Sequence, residues 1–565
     1  MSLLSSSRDQ VSLGPGTVID LDERGAAPSR TSPGRAAPEA APGHAPVPTR
    51  AATRVPIRRR PPAASRTSRS RWPVAACLIV LMLLAAGQST FLLLRQSLRL
   101  DEAQSLWQTS HGLGRMYVLI AQDVHVPLYH TVLSVWTSAL GNDVATARSL
   151  SMVFFISTIP AVYALGRRLF DVPNALFATS LVALSPFMNW YGNEIRMYTL
   201  LTLLVVLNQL FFIRIFQQAG GPNWSGYVLT GVLGVYTHYF FWVSLLAQVI
   251  FFFANRHRFG KGTFVRLVAS AGALVAVLVP WQLYVAGQGG NGASRPLIAA
   301  PTSADLFNTF TQFFFGFQDD ERNTMLVSLW PLAVLLALAA VQKTKRISPE
   351  VGFFLLAGLA PITVAFVASS LGRPIYLSRY LIISLPALLL FLTWLFTAYG
   401  RRTARLLRIA LVLGMLTTAG LQASSADTPV KEDYQAASRF LSEAAKPQDI
   451  VIISPPFTSY PIQYYYNGAA AVATLPIWNR YGEEGAPPFI EQNLPAEAKL
   501  LARDHIDAWL VLSYDQGDEK TIKDYYDRNF ERLQARELSP GLTVYQYRLR
   551  YNIPDTDALI NSLNR

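Results

Sequence analysis

The stretch PVAACLIVLMLLAAGQSTFLLL, residues 73–94, decides the fold class, because none of its 22 side chains carries a charge. A helix of about 20 such residues crosses the hydrocarbon core of a bilayer. The sequence therefore predicts a polytopic all-α membrane protein with about 11 transmembrane helices. The ten further candidate spans are 147–165, 174–191, 197–216, 224–237, 239–254, 263–285, 326–342, 350–371, 379–398 and 405–422.

The composition of the whole chain agrees with this class. Of its 565 residues, 51% are hydrophobic and only 15% are charged, whereas a soluble chain has about 25% charged residues. That deficit excludes a conventional cytosolic multidomain protein. The single cysteine, Cys77, lies in an apolar run, which excludes disulfides and cysteine metal sites.

A segment rich in arginine and proline precedes the first span. Residues 1–72 contain twelve arginines, ten prolines and five acidic residues, without apolar periodicity. Such a segment cannot bury enough apolar surface to offset the entropy of ordering it, so we expect a disordered tail. No aromatic residue stands between its arginines, which argues against nucleic acid as a partner.

The positive-inside rule orients the chain. If the ambiguous apolar run 126–141 does not span, the basic clusters at 167–168, 256–261, 343–346 and 401–408 share one face with the arginine-rich tail. We therefore predict that 126–141 is a helix at the outer interface. The predicted location is the inner (plasma) membrane, with the N-terminus in the cytoplasm and the C-terminus outside it.

Three parts follow from this topology: a cytoplasmic tail at 1–72, a transmembrane domain at 73–424 whose first outer loop is 95–146, and an extracytoplasmic domain at 425–565. The last part has an ordinary composition, and its alternating strands and helices predict a small α/β domain. The predicted strands are 449–454, 507–513 and 541–548, and the predicted amphipathic helices are 431–446 and 519–533.

The connections at the predicted outer face collect most of the unusual polar residues. Ionisable groups at membrane depth are costly, so their convergence on one face indicates a functional site. The candidate site residues are Asp101, Glu102, His125, Tyr129, Glu194, Arg196, Tyr198, His238, Arg379 and Tyr380.

Several of these residues also have a structural interpretation. Asp101 and Glu102 suit the first turn of an interfacial helix, since acidic side chains stabilise a helix N-terminus. His125 could bond a backbone carbonyl. His238 could be structural, and Arg379 could anchor a lipid headgroup.

The segment between the predicted spans 174–191 and 197–216 contains Glu194 and Arg196, and their spacing predicts how they pair. In a helix, Glu194 and Tyr198 share a face, whereas Arg196 points elsewhere. Glu194 and Arg196 are therefore not a simple local ion pair, and each needs a partner or ligand from another segment.

In the order and kind of its motifs, from about residue 73 to 420, the sequence resembles the type C glycosyltransferase superfamily. The resemblance is to bacterial relatives of the protein O-mannosyltransferases and lipid A aminoarabinose transferases, as in glycosyltransferase family 39. Val126 stands where the family often has a proline. The motifs are the acidic pair 101–102, His-x-Pro-Leu-Tyr at 125–129, Ser-Pro at 185–186, Glu-x-Arg-x-Tyr at 194–198, Thr-His-Tyr at 237–239 and Ser-Arg-Tyr at 378–380.

The resemblance implies transfer of a sugar, by a mannosyltransferase-like enzyme, from a polyprenyl-phosphate-linked donor to a hydroxyl or amine. Asp101 matches the family's first-loop acid and is the expected base, with Glu102 as a second acid. Direct displacement with one carboxylate would invert the anomeric centre.

The remaining candidates are expected to bind the substrates. The leaving lipid phosphate needs cationic donors, for which Arg196 and Arg379 are suited. A histidine, His125 or His238, would add a hydrogen bond, and Glu194 would orient sugar hydroxyls or the acceptor.

No cofactor is required, because the activated donor carries the energy. A divalent metal would find Asp101, Glu102 and a histidine, but no recognised ligand spacing supports one. The expected partners are the donor, a lipid, glycan or protein acceptor, and membrane lipid.

Two other classes remain open. A flippase or transporter of lipid-linked sugars would also need many spans and intramembrane polar groups, although alternating access favours a site near the midplane. An assembly or sensor protein would use its outer domain to bind a partner and leave the membrane part catalytically idle.

Overall fold

The computed structural model describes residues 72–93, 96–123, 125–217, 222–288, 299–344, 347–372, 374–425, 432–480 and 485–549. The predicted arginine-rich tail therefore lies outside the described residues, apart from Trp72. Over the described part, helices form the membrane domain, and a small mixed sheet with flanking helices follows, as the sequence predicts.

Helices of very different length build the membrane domain. They are α1 (Trp72–Leu93), α2 (Leu100–Thr109), α3 (Leu113–Gln122), α4 (Leu128–Leu140), α5 (Val144–Gly166), α6 (Val172–Ala183), α7 (Pro186–Gly192), α8 (Tyr198–Phe216), α9 (Asn223–Val235), α10 (Phe241–Ala254), α11 (Thr263–Gly287), α12 (Ser303–Phe315), α13 (Asp320–Ser328), α14 (Trp330–Lys343), α15 (Pro349–Leu371), α16 (Leu385–Thr397) and α17 (Arg401–Ser424).

Among the described residues, eight helical segments are long and apolar enough to cross a membrane. Three of the predicted spans are shorter or broken: α9 and α10 have 13 and 14 residues, and the run 174–191 divides into α6 and α7. The division occurs at Ser185, whose hydroxyl accepts a hydrogen bond from the Met188 N–H and starts a new helix with Pro186 in its first turn. The ambiguous run 126–141 forms the 13-residue helix α4.

Helix α8 runs from the candidate site residue Tyr198 to a basic end. α8 begins at Tyr198 and carries Arg214 in its last turn. The Gln217 amide, just after α8, donates to the Arg168 carbonyl just after α5, so the two basic ends lie together. The predicted separation of polar and basic groups over the other helices, and the side of the membrane that each end faces, stay predictions.

The small domain is built around a five-stranded sheet. Its strands are β1 (Ile450–Ser454), β2 (Ala471–Thr474), β3 (Asp507–Ser513), β4 (Glu531–Ser539) and β5 (Leu542–Arg548), in the order β2-β1-β3-β5-β4. β1 pairs in parallel with β2 and β3, whereas β5 is antiparallel to β3 and β4. Helices α18 (Tyr434–Ala444), α19 (Ser459–Tyr465), α20 (Leu494–Ala502) and α21 (Glu519–Asn529) flank it.

Two apolar cores, one on each face of the sheet, hold this domain together. Along β1, Ile450 and Ile452 enter one core while Val451 and Ile453 enter the other, as the two-residue period of a strand requires. The three predicted strands are confirmed. The prediction of a helix over 519–533 is wrong at its end, because α21 stops at Asn529 and an edge strand follows.

The sheet domain contacts the membrane domain at the segment that leads into α2. The Leu98 N–H donates to the Tyr465 hydroxyl at 3.0 Å, and the Ser97 hydroxyl donates to the Glu432 carbonyl at 2.6 Å. The Tyr464 hydroxyl donates to the Asn142 carbonyl at 3.3 Å. The start of α2 is thus fixed from both domains.

Candidate active site

The acidic pair occupies the first turn of α2, and its two members have different environments. Glu102 is the third residue of the helix and accepts a hydrogen bond from the Arg99 N–H at 2.9 Å, which caps the helix. Its side chain is fully buried. The Asp101 side chain is 27% exposed, so it is the acid that an incoming molecule can reach.

Glu102 forms a buried ion pair with Arg148 of α5. Two guanidinium nitrogens of Arg148 contact its two oxygens at 2.7 and 2.6 Å, and the Ile195 N–H donates to the same carboxylate at 3.1 Å. Arg148 also donates to the carbonyls of Gln96 and Ser97. This network joins α5, the loop before α8 and the start of α2, so the geometry favours a positioning role for Glu102 over the predicted catalytic one.

Asp101 lies beside two arginines from distant segments. The Arg379 Nη1 donates to Asp101 Oδ2 at 3.1 Å, and the Arg196 Nη1 donates to the Asp101 carbonyl at 3.3 Å and to the Ser105 hydroxyl at 3.0 Å. Burial alone would raise the pKa of Asp101, but the charges of Arg196 and Arg379 outweigh it and hold that pKa well below its ordinary value. Asp101 is therefore ionised at neutral pH.

Arg196 also contacts the predicted histidine of the first outer loop. Its Nη2 lies 2.7 Å from His125 Nε2. Because a guanidinium only donates, Nε2 accepts and the proton of the neutral ring is on Nδ1. Burial, and then the charge of Arg196, lower the pKa of His125, which keeps the ring neutral. Arg196 thus ties His125 to the backbone of Asp101.

A second histidine closes the site on the side of α10. The Phe240 N–H donates to His238 Nδ1 at 3.1 Å, which leaves the proton of the neutral ring on Nε2. The His238 ring lies 5.1 Å from that of Tyr380 and 6.3 Å from that of Tyr198. Burial and the nearby charges of Arg196 and Arg379 lower the pKa of His238 to about 3, so it is a neutral hydrogen-bond donor.

Residues 193–197 form a bend between α7 and α8 and not a helix, so the helical spacing expected for Glu194, Arg196 and Tyr198 is wrong, although both charged side chains contact other segments. Glu194 lies 3.7 Å from Arg99, and its Oε2 has no hydrogen-bond partner among the described residues. Burial raises the pKa of Glu194 above its ordinary value, although Arg99 opposes this. The Arg99 guanidinium in turn lies over the ring of Trp190 at 4.9 Å.

Tyr129 is placed behind the site and supports it. Its hydroxyl contacts the Ser151 hydroxyl at 2.9 Å, and Ser151 donates to the Arg196 carbonyl at 3.2 Å. The ring is 1% exposed, which leaves it no surface for a substrate. Tyr129 therefore holds the loop that carries Arg196, and its predicted binding role stays a prediction that this geometry does not favour.

The sequence reasoning missed two residues that contact this site, Arg99 and Arg148, and one residue of the sheet domain that senses its charge, Tyr514. Arg99 lies beside Glu194, and Arg148 lies within a predicted span with no local signal of its role. Tyr514 of the sheet domain is 44% exposed and has a positive φ of 56°. Burial raises the pKa of Tyr514, and the negative charge of Asp101 adds to this.

Among the described residues, no three His, Cys, Asp or Glu side chains form a cluster that could hold a metal ion. Glu102, which the sequence left open as a ligand of a divalent metal, does not fit that role, because Arg148 and two backbone N–H groups already occupy its oxygens.

Comparisons with known proteins bear on this cluster. A family model for dolichyl-phosphate-mannose-protein mannosyltransferase matches residues 124–282, which include six of the ten predicted site residues. No curated protein matches the chain by sequence.

Solved structures share the fold over most of the chain. ArnT from Cupriavidus metallidurans in the apo state matches with a TM-score of 0.55 and 12% identity, covering 84% of this chain and 98% of ArnT. ArnT bound to undecaprenyl phosphate matches with a TM-score of 0.53, the same identity and the same coverage. The oligosaccharyltransferase of Archaeoglobus fulgidus in the apo form matches at 0.50 and 13% identity, covering 86% of this chain and 76% of that one.

At such low identity the structural likeness shows the fold alone. Together with the family match, it confirms the predicted resemblance to the type C glycosyltransferases. The chain is a multi-pass membrane protein of this fold, and the match to a mannosyltransferase family supports its assignment as a glycosyltransferase.

Proposed function

We propose that the protein transfers a sugar from a polyprenyl-phosphate-linked donor to an acceptor hydroxyl or amine, with Asp101 as the base. The observation that carries the proposal is the partly exposed Asp101 carboxylate, 3.1 Å from Arg379 and surrounded by guanidinium groups and neutral histidines. The undecaprenyl phosphate bound to ArnT, a protein of the same fold, supports the choice of donor.

The donor phosphate binds to the cationic side of the cluster. Arg379 is 28% exposed and can present paired N–H groups to phosphate oxygens, which suits a departing lipid phosphate. Arg196 is almost fully buried and fixed by Ser105 and His125, so it adds positive charge without moving. Preorganised charge of this kind stabilises the negative charge that develops on the leaving group.

The acceptor binds on the side of Asp101. Its oxygen or nitrogen attacks the anomeric carbon as the bond from that carbon to the phosphate oxygen breaks, and the electron pair leaves with the polyprenyl phosphate. The acceptor proton passes to Asp101. Attack from the opposite side inverts the anomeric centre.

The low pKa of Asp101 in the absence of substrate is compatible with this role. Part of it comes from Arg379, and a donor phosphate that engages this guanidinium screens its charge from the carboxylate. The pKa of Asp101 then rises, so donor binding makes Asp101 a stronger base. This order of events couples acceptor activation to the presence of the donor.

Two of the other candidates orient the substrates. His238 donates from Nε2, and Tyr380 contributes an aromatic ring beside it. Tyr198 is 1% exposed and Glu194 is 3% exposed, so this geometry favours a supporting role for them over the predicted substrate contacts. The acceptor is a lipid, glycan or protein, and the reaction takes place at the extracytoplasmic face of the inner (plasma) membrane. No cofactor takes part in these steps.

The test is a panel of radiolabelled polyprenyl-phosphate sugars, offered to the purified protein with membranes of the native host as acceptor. Consumption of one donor class by the wild type, but not by Asp101→Asn, is the expected result. If the labelled lipid crosses the bilayer of proteoliposomes without being consumed, the protein is a transporter and the proposal is wrong.

A further inference from the structure

A cavity of about 530 Å³ lies between the membrane domain and the sheet domain, apart from the site described above. Its walls come from the end of α2, the turn after it, α4, and α19 with the segment near Arg480. None of the residues assigned to donor or acceptor chemistry lines it. Its volume falls within the range of small-molecule sites, about 300–1,000 Å³.

Aromatic rings and a guanidinium form one wall. The rings of Trp107 and Tyr460 lie 5.1 Å apart, and the Arg480 guanidinium lies 5.4 Å from the first ring and 5.7 Å from the second. Tyr464 adds a ring that is 42% exposed. An aromatic wall of this kind offers flat apolar faces with polar groups at their edges.

Hydrogen-bonding groups line the rest of the cavity. Ser110, Ser134 and Asn142 contribute hydroxyl and amide groups. Gln463, another wall residue, keeps a buried side-chain oxygen without a hydrogen-bond partner among the described residues. An unmet acceptor of this kind costs free energy unless a ligand or water donates to it. Among the described residues, no acidic side chain lines the cavity.

This combination of groups matches the chemistry of a carbohydrate. A sugar ring packs its C–H face on an aromatic ring and presents hydroxyls at its edge, which require donors and acceptors around it. A lipid chain would leave the buried Gln463 oxygen without a donor, which is unfavourable, whereas a sugar hydroxyl can donate to it. The positive charge of the Arg480 guanidinium is compatible with both neutral sugars and sugars that carry a carboxylate.

The cavity is close to the proposed catalytic residue but on another face of the same helix. Asp101 and Trp107 are six residues apart in α2, which corresponds to about 9 Å along the helix axis and to different sides of it. The cavity is therefore separate from the reacting centre and near enough for an extended molecule to reach both.

We propose that the cavity lined by Trp107, Tyr460, Tyr464 and Arg480 is a carbohydrate-binding site that holds the sugar chain of an oligosaccharide acceptor. The proposal rests on the proposed function, since it names the acceptor class of that reaction. The bound chain extends around the start of α2 and presents its terminal hydroxyl to Asp101.

The test is calorimetric titration of the purified full-length protein with defined short oligosaccharides, neutral and uronic-acid-containing. It is done on Asp101→Asn, so that binding is measured without transfer and independently of the proposed chemistry. Ser134→Trp, which fills the cavity, and Tyr464→Ala, which removes an exposed ring, are expected to weaken binding at least tenfold. Tyr284→Ala, a similarly exposed tyrosine on α11, is the control and is expected to change nothing.

A second readout uses active enzyme with the preferred oligosaccharide as acceptor. The cavity variants are expected to raise the KM for the acceptor and to leave the KM for the donor unchanged. The proposal is overturned if no oligosaccharide binds, or if the cavity variants bind an oligosaccharide as tightly as the parent protein does. It is also overturned if a short peptide, titrated in the same way, binds and the oligosaccharides do not. If the wild-type protein binds an oligosaccharide but transfers no sugar to it from any donor, the proposed function is wrong and the binding site stands.

Discussion

Arg379 donates a hydrogen bond from Nη1 to Oδ2 of Asp101 across 3.1 Å, although 278 positions separate the two residues in the chain. Each side chain is a little over a quarter exposed, so the pair is accessible to a ligand. A pair formed across such a distance depends on the packing of the whole membrane domain. It brings the proposed base and the proposed phosphate-binding cation together.

Substitution of Arg379 tests the phosphate assignment. We expect Arg379→Gln to raise the KM for the donor about 10- to 100-fold, because charge-assisted hydrogen bonds to the phosphate are lost. Arg379→Lys keeps the positive charge but loses the paired N–H groups, so we expect its KM for the donor to lie between those of the wild type and Arg379→Gln. Initial rates at varied donor and fixed acceptor measure this. An unchanged donor KM with a raised acceptor KM would assign Arg379 to the acceptor instead.

Glu102 is expected to act on stability. Glu102→Gln leaves the buried Arg148 without its counter-charge, which should cost about 3–5 kcal/mol of the free energy of unfolding. Thermal denaturation in detergent measures it.

The matched control for Glu102 is Arg503→Gln, which breaks an exposed ion pair of 3.8 Å. We expect a change below about 1 kcal/mol from this variant. A Glu102→Gln protein that melts like the wild type but has lost transfer would restore the catalytic role that the sequence suggested.

Glu194 gives stability a pH dependence of known sign. Its folded pKa is raised above the ordinary 4.5 by burial, so ionisation disfavours the folded state as pH rises through that raised pKa. Glu194→Gln removes this cost. We therefore expect a higher Tm than the wild type at pH 8 and an equal Tm at about pH 4, where both forms are neutral. A lower Tm at pH 8 would mean that the contact with Arg99 outweighs the burial.

His238 should not contribute to the pH dependence of activity near neutrality. Its pKa of about 3 keeps the ring neutral from pH 5 to 8. His238→Gln retains an N–H at the position of Nε2, so we expect a rate within about tenfold of the wild type and a profile of the same shape. His238→Leu removes the donor and is expected to be slower. If the activity of the wild type changes with pH around 6.5 and His238→Gln abolishes this change, His238 titrates near neutrality and its assignment as a neutral donor is wrong.

The sequence predicts those features that local patterns determine. Long apolar runs predict the long helices, and short continuous apolar runs between polar segments predict β1 and β3. The strand β4 was missed because it is an edge strand with exposed side chains along most of its length, so it has no such run.

The site was predicted only in part, for a physical reason. Candidate residues such as Asp101 and His238 are visible because polar groups stand out in an apolar chain. Their roles are set by partners far along the chain, as Arg148 is for Glu102 at a separation of 46 positions. Nothing local marks Arg148 within its apolar helix, so sequence reasoning could not tell the buried acid from the accessible one.

The most direct test of Asp101 as the base is a single-turnover experiment that separates donor binding from chemistry. We expect Asp101→Asn to bind the donor within about threefold of the wild-type Kd and to transfer its sugar at least about 100-fold more slowly, as removal of a general base predicts. Asp143→Asn, at the exposed start of α5, is the control and should match the wild type in both. An Asp101→Asn enzyme with a wild-type single-turnover rate would contradict the account.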